Sequence, residues 1–265
     1  MSTLQRPSNP ADDFSIEHYR EILRAIKKSH KTLSFKDAHE LGQDILTIER
    51  FVLMRHDVEF SVSAALRLAE ADHAENIKST FFLLYTSDYN PFEEEEAIKI
   101  QAILNMGHDI GLHYDAGLFE KLGVDPAEVA KRQIALFESF FKTKIYAMSS
   151  HMPMRSGKTF SVGDIIDTYE PLYLKDIKYL SDSTQAWREG VVTENLDKYA
   201  QIHLLTHEYI WHPDNLDWDT LLLMDVQEKF QRMWDRALKN ISTYREGLRL
   251  RKKKDLEFEK RFFNP

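Results

Sequence analysis

Residues 50–60 read Arg-Phe-Val-Leu-Met-Arg-His-Asp-Val-Glu-Phe, and this stretch decides the fold that we predict. The apolar run 51–54 is typical of a buried β-strand. Four ionisable side chains follow it: Arg55, His56, Asp57 and Glu59. Because alternate residues of a strand share a face, the arginine and both carboxylates point one way and the histidine points the other. Buried charges need a partner, a metal or a chemical role, so the stretch predicts either an ion pair at the strand end or a metal or acid–base site.

The composition restricts the kinds of protein and of site that the chain can form. A length of 265 residues allows one large domain, and 43% hydrophobic with 29% charged residues is ordinary for a soluble globular protein. The net charge of −8 argues against nucleic acid or an anionic membrane as a partner. Cysteine is absent, so a metal would be held by His, Asp or Glu side chains.

The same composition predicts a simple domain organisation. Residues 1–13 are polar and contain Pro7 and Pro10, which indicates a disordered N-terminus. Residues 14–265 are then expected to form a single domain. Neither a signal-peptide core nor an apolar run of about 18 residues occurs, so we expect no membrane span and a cytoplasmic location.

Patterns typical of strands and helices alternate along the chain. Strands are predicted at 50–57, 80–85, 109–113, 144–149, 177–181 and 201–206. Helices are predicted at 14–30, 34–41, 61–75, 93–105 and 126–142. This alternation predicts an α/β fold with a parallel sheet, either open or closed as a barrel, after an N-terminal helical segment. In both forms the functional residues are expected at the carboxyl ends of the strands.

A long C-terminal helix is predicted at 218–259. Its apolar stripe contains Leu222, Val226, Phe230, Trp234, Leu238 and Ile241. A helix of this length is unusual in a globular domain. It either packs across the domain or serves as an arm through which two chains form a homodimer.

Histidines and acids follow several of the predicted strands. The third strand lies in Gly-His-Asp-Ile-Gly-Leu-His-Tyr-Asp, residues 107–115, and the fourth ends in Ser-Ser-His-Met-Pro, residues 149–153. The fifth ends in Ser-Asp-Ser, residues 181–183, and the sixth reads His-Leu-Leu-Thr-His, residues 203–207. Since the carboxyl ends of parallel strands meet at one edge of a sheet, these residues predict one shared site.

The order and spacing of these motifs over residues 50–212 resemble the polysaccharide deacetylase (NodB-homology, carbohydrate esterase 4-type) superfamily. The resemblance is strongest to the branch associated with surface-polysaccharide and O-antigen biosynthesis. It implies a distorted (β/α)7 barrel and hydrolysis of an N- or O-acetyl group on a sugar or polysaccharide precursor. It also implies a divalent metal, usually Zn²⁺ with Co²⁺, Ni²⁺ or Mn²⁺ as alternatives, held by one acidic and two histidine ligands.

The resemblance implies roles for the two acids of the first motif. Asp57 and Glu59 correspond to the catalytic base and the metal-binding acid, and the motif leaves open which is which. With Asp57 as the base, Glu59 is the ligand. Versions of the motif with adjacent acids would instead pair His56 with Asp57 and make Asp57 the ligand.

The metal-binding histidines depart from the family pattern. His113 matches the first histidine of the second motif, but the position of the second is occupied by Gly117. His151 stands where the third motif usually has an arginine, so it is a candidate for the missing imidazole. Asp115 is the other candidate ligand.

The remaining motifs imply the acid and the substrate contacts. His207 matches the histidine that acts as general acid, and Asp182 with Trp187 resembles the fourth motif. Arg55 is expected to hold an acid ionised, since an opposite charge lowers a carboxyl pKa. Three aromatic residues are candidates for an apolar wall around the acetyl group or sugar ring: Tyr114, Trp187 and Trp211.

Three hypotheses about function follow. The first is a metal-dependent carbohydrate deacetylase. The second keeps the metal site and changes the substrate, for example to a formyl group or another amide. The third, suggested by Gly117, is a barrel that has lost catalysis and serves as a glycan-binding or assembly module.

Overall fold

The computed structural model describes residues 7–153 and 160–240. The chain divides into two compact units, Met1–Trp218 and Asp219–Pro265. The predicted boundaries, a disordered segment 1–13 and a single domain 14–265, stay predictions.

The first unit is organised around a sheet of eight parallel strands. These are β1 (Lys31–Leu33), β2 (Phe51–Val58), β3 (Thr80–Leu84), β4 (Asp109–Tyr114), β5 (Ala147–Ser150), β6 (Ile166–Asp167), β7 (Lys178–Ser181) and β8 (Gln201–His207). Their order across the sheet is β6-β5-β4-β3-β2-β8-β7, and β1 pairs with the first residues of β2. The strand β2 is therefore central, because it pairs with β1 and β3 along one edge and with β8 along the other.

Helices connect most of the strands. They are α1 (Ile16–Ser29), α2 (Phe35–Leu41), α3 (Val62–Ala74), α4 (Glu94–Asn105), α5 (Ala116–Leu122), α6 (Pro126–Phe141), α7 (Val192–Asn195) and α8 (Trp218–Asn240). Short 3-10 helices lie at Pro10–Asp12, Gly42–Thr47 and Glu208–Ile210, and a π-helix lies at Leu172–Asp176.

The parallel strands curl into a half-barrel with helices around it, which confirms the predicted α/β, distorted-barrel fold class with its helical segment α1 and its C-terminal helix. The strands β1 and β6 were not predicted, because two or three residues carry no apolar period. The helix α5 was also not predicted. It begins after Asp115, whose carboxylate accepts the backbone N–H of Leu118 as an N-cap.

The C-terminal helix α8 covers Trp218–Asn240, and the predicted remainder, 241–259, lies outside the described residues. Several apolar side chains of α8 are exposed, among them Leu222, Leu223, Met224, Val226 and Met233. The homodimer through this helix stays a prediction. No helix in the described ranges has both the length and the apolar character needed to cross a bilayer.

One face of β2 points to the inside of the curled sheet, and the other points to the surrounding helices. The inner face is apolar at the start of the strand and charged at its end. Phe51 and Leu53 belong to the apolar core inside the curled sheet, together with Phe82 of β3. Alternation puts Arg55 and Asp57 on the same inner face, closer to the carboxyl end of the strand. The inner face of one strand thus changes from core to charged site within a few residues.

A buried hydrogen-bonded cluster lies on the outer face of β2, under α1 and α3. Asp72 accepts hydrogen bonds from Tyr19 Oη at 2.6 Å, from His56 Nε2 at 2.9 Å and from Ser79 Oγ. The other ring nitrogen of His56 lies 2.6 Å from Thr206 Oγ1. His56 and Asp57 therefore point to opposite faces of β2, as strand alternation predicts.

Gly111 in β4 generates a prediction about packing. A Cβ atom on Gly111 would lie 2.6 Å from two ring atoms of Phe82 and 3.0 Å from the carbonyl oxygen of Ala147. We expect Gly111→Ala to lower the free energy of unfolding by about 1–3 kcal/mol, since overpacking forces neighbouring atoms apart. Urea denaturation measures this loss. Adding Phe82→Leu, which removes the ring, is expected to cost less in the Gly111→Ala background than in the wild type; strictly additive losses would contradict the clash.

Candidate active site

Several of the predicted site residues converge at the carboxyl ends of β2, β4, β5 and β8, with β3 between β4 and β2 in the sheet. Strand register places Asp57 of β2 beside His207 of β8, and His113 of β4 beside Ser149 of β5. Glu59 and His151 follow the ends of β2 and β5 directly. Residues separated by up to 150 positions in sequence thus meet at one edge of the sheet.

Glu59 lies between two imidazole rings. Its Oε1 atom is 3.1 Å from His113 Nε2 and 2.9 Å from His151 Nδ1. The donor atoms of these three residues all lie within 4.8 Å of one another. Burial alone would raise the pKa of Glu59, but the hydrogen bonds from the two histidines outweigh it and hold the pKa well below its usual range. The carboxylate is therefore ionised.

The contacts of His113 require either a proton or a metal ion between its Nε2 atom and Glu59. His113 Nδ1 lies 3.0 Å from the carbonyl oxygen of Ser149, which only accepts, so Nδ1 carries a hydrogen. In the neutral ring Nε2 then presents a lone pair to the carboxylate of Glu59. Two acceptors face each other without repulsion only when a proton or a metal ion lies between them.

The donor set fits a divalent metal. One carboxylate and two imidazoles form the protein ligand set of one type of catalytic zinc site. Two ligand atoms of a tetrahedral zinc site lie roughly 3.4 Å apart. The distances from Glu59 Oε1 to His113 Nε2 and His151 Nδ1, 3.1 and 2.9 Å, are close to that separation. The hydrogen bond from His113 to a carbonyl is also the outer contact that orients metal-binding histidines. For His151 burial alone would lower the pKa, but the hydrogen bond to Glu59 raises it.

Asp57 is held in a different environment from Glu59. Its Oδ1 and Oδ2 atoms accept hydrogen bonds from Nε and a terminal nitrogen of Arg55 at 2.8 and 2.7 Å. The same guanidinium donates to Ser149 Oγ and lies over the rings of Phe82 and Tyr169. Burial alone would raise the pKa of Asp57, but the charge of Arg55 outweighs it and lowers the pKa. Asp57 is thus an ionised carboxylate 3.6 Å from His113 Nε2.

His207 and Asp182 form an imidazole–carboxylate pair. His207 Nδ1 donates to Asp182 Oδ1 at 2.7 Å, and both carboxylate oxygens also accept the backbone N–H of His207. The indole nitrogen of Trp211 donates to the other oxygen at 2.9 Å. Burial alone would lower the pKa of His207, but Asp182 raises it to about 9. The ring is therefore an imidazolium at neutral pH. Its Nδ1 atom is engaged with Asp182, so Nε2 is the atom that can donate a proton to another group.

The remaining predicted residues lie in different surroundings. Asp115 caps α5, so one of its carboxylate oxygens accepts the backbone N–H of Leu118, and its charge also acts on His151. Tyr114 is buried and donates to Asp167, and Trp211 is fully buried against Phe14 and Tyr19. Trp187 lines a cavity of about 220 Å³ with Ser181, Ser183 and Arg188, among others.

Two residues at the site were not predicted from the sequence. Ser149 contacts both Arg55 and His113, and Glu208 accepts backbone N–H groups of the turn that carries Glu59. For Glu208, burial outweighs these donors and raises the pKa to about 7. In the sequence these two residues are marked only by their position, since Ser149 begins the motif that contains His151 and Glu208 follows His207.

The high pKa of His207 generates a prediction about pH. We expect Asp182→Asn to lower the pKa of His207 from about 9 towards or below the ordinary value of about 6.5, because the neighbouring negative charge is removed. NMR titration of the His207 ring in metal-free protein measures the change. The matched control is Asp214→Asn, which removes a largely exposed carboxylate 3.7 Å from His212. A His207 pKa still near 9 in Asp182→Asn would contradict the pairing.

The same pairing links stability to pH. The pKa of His207 in the folded protein is raised above its unfolded value of about 6.5. Its stabilising contribution is therefore complete below about pH 6.5 and is lost as the pH rises through about 9.

No family model matches this chain, and no curated protein matches it. Among solved structures, the chain is similar to the chitin deacetylase from the fungal pathogen Colletotrichum lindemuthianum, with a TM-score of 0.39 and 15% sequence identity. That similarity covers 67% of this chain and 81% of the chitin deacetylase chain.

Proposed function

We propose that this protein is a metal-dependent hydrolase that removes an N- or O-acetyl group from a sugar or polysaccharide precursor. The observation that carries the proposal is the placement of Glu59 between His113 and His151, with the ionised Asp57 on one side and the imidazolium of His207 close by. This arrangement combines a ligand set, a base and an acid within one site.

The ligands in this proposal are Glu59, His113 and His151. A divalent metal, most simply Zn²⁺, supplies when bound a Lewis acid that polarises the acyl carbonyl and lowers the pKa of water. His151 takes the place of the second family histidine, whose position is occupied here by Gly117. Glu59 is favoured over Asp57 as the ligand, because its carboxylate faces both imidazoles while that of Asp57 is held by Arg55.

Asp57 is the base in this proposal. Its pKa is lowered, so it is ionised over the whole neutral range and accepts a proton from the attacking water. Arg55 fixes both of its oxygens, which orients the carboxylate and keeps it charged. A carboxylate with a low pKa is a weak base. Proton transfer from water to Asp57 is therefore efficient only if the pKa of that water is also lowered at the site.

His207 is the general acid. Water adds to the acyl carbon, the bond from that carbon to the sugar nitrogen or oxygen breaks, and the imidazolium gives its proton to the departing atom. An amine leaves poorly as an anion, so this proton is needed most for an N-acetyl group. Asp182 keeps the ring charged and oriented for this step.

A sugar substrate is supported by the cavity at the end of β7. The cavity combines an aromatic side chain, Trp187, with the hydroxyls of Ser181 and Ser183 and the charge of Arg188. An apolar surface beside hydrogen-bonding groups suits a sugar ring, which has an apolar face and hydroxyl edges. The cavity is lined by the two neighbours of Asp182 in sequence, Ser181 and Ser183.

The proposal is tested by metal uptake and acetate release. Wild-type protein is expected to bind about one Zn²⁺ or Co²⁺ per chain and to release acetate from N- or O-acetylated sugars. Asp57→Asn is expected to keep the metal and lose about 10²–10⁴ in rate, the usual contribution of a general base. Glu59→Gln is expected to lose the metal, because it removes the only anionic ligand. His39→Ala, which changes a half-buried histidine paired with Asp164, is the control.

Other outcomes would favour the other hypotheses. Release of formate but no acetate would favour the hypothesis that the substrate carries a formyl group or another amide. Stoichiometric metal with no hydrolysis of any amide or ester would favour a glycan-binding module. The association with O-antigen biosynthesis, the homodimer and the cytoplasmic location stay predictions from the sequence.

A further inference from the structure

Glu208 is a buried acid that the mechanism above does not use. It follows His207 directly and is fully buried. Its Oε1 atom accepts three consecutive backbone N–H groups, from Glu59 at 3.1 Å, Phe60 at 2.6 Å and Ser61 at 2.8 Å. Its Oε2 atom has no hydrogen-bond partner in the described part of the chain. Convergence of successive amides on one oxygen is a backbone anion site, and here the chain fills it with its own carboxylate.

This contact replaces the strand pairing that ends just before Glu59. The last register pairs of β2 are Val58 with Leu83 and Asp57 with His207. Glu59 lies beyond them, where the chain turns towards α3. The backbone of a residue in such a turn is held only by the contacts made to it there.

Further contacts hold the same turn from the carbonyl side. Ser87 Oγ donates to the carbonyl oxygen of Glu59 at 2.6 Å, and Tyr89 Oη donates to the carbonyl oxygen of Val58 at 2.8 Å. Both polar groups of the Glu59 backbone are therefore engaged, its N–H by Glu208 and its carbonyl by Ser87.

We propose that Glu208 is a positioning residue that holds the backbone of Glu59 so that the Glu59 carboxylate stays between His113 and His151 and binds the metal tightly. The inference rests on the proposed function only in taking Glu59 as a metal ligand. Because Glu208 and His207 are adjacent at the end of β8, the same segment sets the position of the acid and that of the ligand.

A role of Glu208 in positioning Glu59 can be distinguished from a general contribution to stability by comparing matched substitutions. Glu208→Gln keeps the size and an accepting oxygen, whereas Glu208→Met keeps the size and removes every acceptor. Asp72→Asn weakens a comparably buried carboxylate cluster on the opposite face of β2, which does not touch Glu59. Ser87→Ala removes the carbonyl-side contact at a half-buried position, so it tests the same idea with little cost to folding.

The experiment measures the Zn²⁺ dissociation constant of each purified variant by chelator competition, with the melting temperature of metal-free protein as the second readout. We expect Glu208→Met to weaken Zn²⁺ binding about 10–100-fold, the usual cost of losing an outer contact of a metal site. Glu208→Gln is expected to stay within about 3-fold of wild type, and Ser87→Ala to weaken binding several-fold. Asp72→Asn is expected to lower the melting temperature and leave the dissociation constant unchanged.

Several results would overturn the inference. Wild-type affinity in Glu208→Met would do so, as would an equal loss of affinity in Asp72→Asn. If Glu208→Met does not fold, wild-type affinity in Ser87→Ala overturns it and a loss there supports it. A wild-type protein that binds no Zn²⁺ removes both the metal site and the role of Glu208. Expected affinities without any acetate release reject the proposed function alone and leave the role of Glu208 standing.

Discussion

The buried charge of Arg55 is the constraint on which the site depends. A guanidinium with no exposed surface is costly unless its charge is paired, and Asp57 pairs it through two hydrogen bonds. Burial alone would lower the pKa of Arg55, but Asp57 outweighs it and raises the pKa. Arg55 therefore stays charged and requires Asp57 to stay charged as well. The ion pair that could have been a purely structural feature also keeps the Asp57 carboxylate ionised beside His113 and Glu59, the groups that we propose bind a metal.

Strand alternation separates this site from a second polar cluster only one residue away. Asp57 faces the inside of the curled sheet, whereas His56 faces outward and donates to Asp72 under α1 and α3. Arg55 pairs with Asp57 on the inner face and His56 with Asp72 on the outer face, so the charged groups of one strand do not compete for partners. The outer cluster also includes Thr206, the neighbour of His207 in sequence, through its contact with His56.

Asp57 and His207, the proposed base and acid, have pKa values shifted in opposite directions. Arg55 lowers the pKa of Asp57, and Asp182 raises that of His207 to about 9. Both groups are consequently in the form that hydrolysis needs at neutral pH, a carboxylate and an imidazolium. Each shift comes from buried, oppositely charged neighbours, chiefly Arg55 for Asp57 and Asp182 for His207. Pairs of groups with separated pKa values are the pattern of acid–base catalysis.

The sequence by itself determined the alternation of strands and helices, and with it the fold class and the edge of the sheet where the polar residues meet. It also determined that Asp57 and Glu59 share a face, because the two-residue period of a strand is a local property. Only the tertiary structure decided which acid meets the two imidazoles, since that depends on the register of strands far apart in the chain. The contacts of His151 with Glu59 and of Glu208 with the turn at residues 59–61 had no local signal, because they join segments about 90 and 150 residues apart.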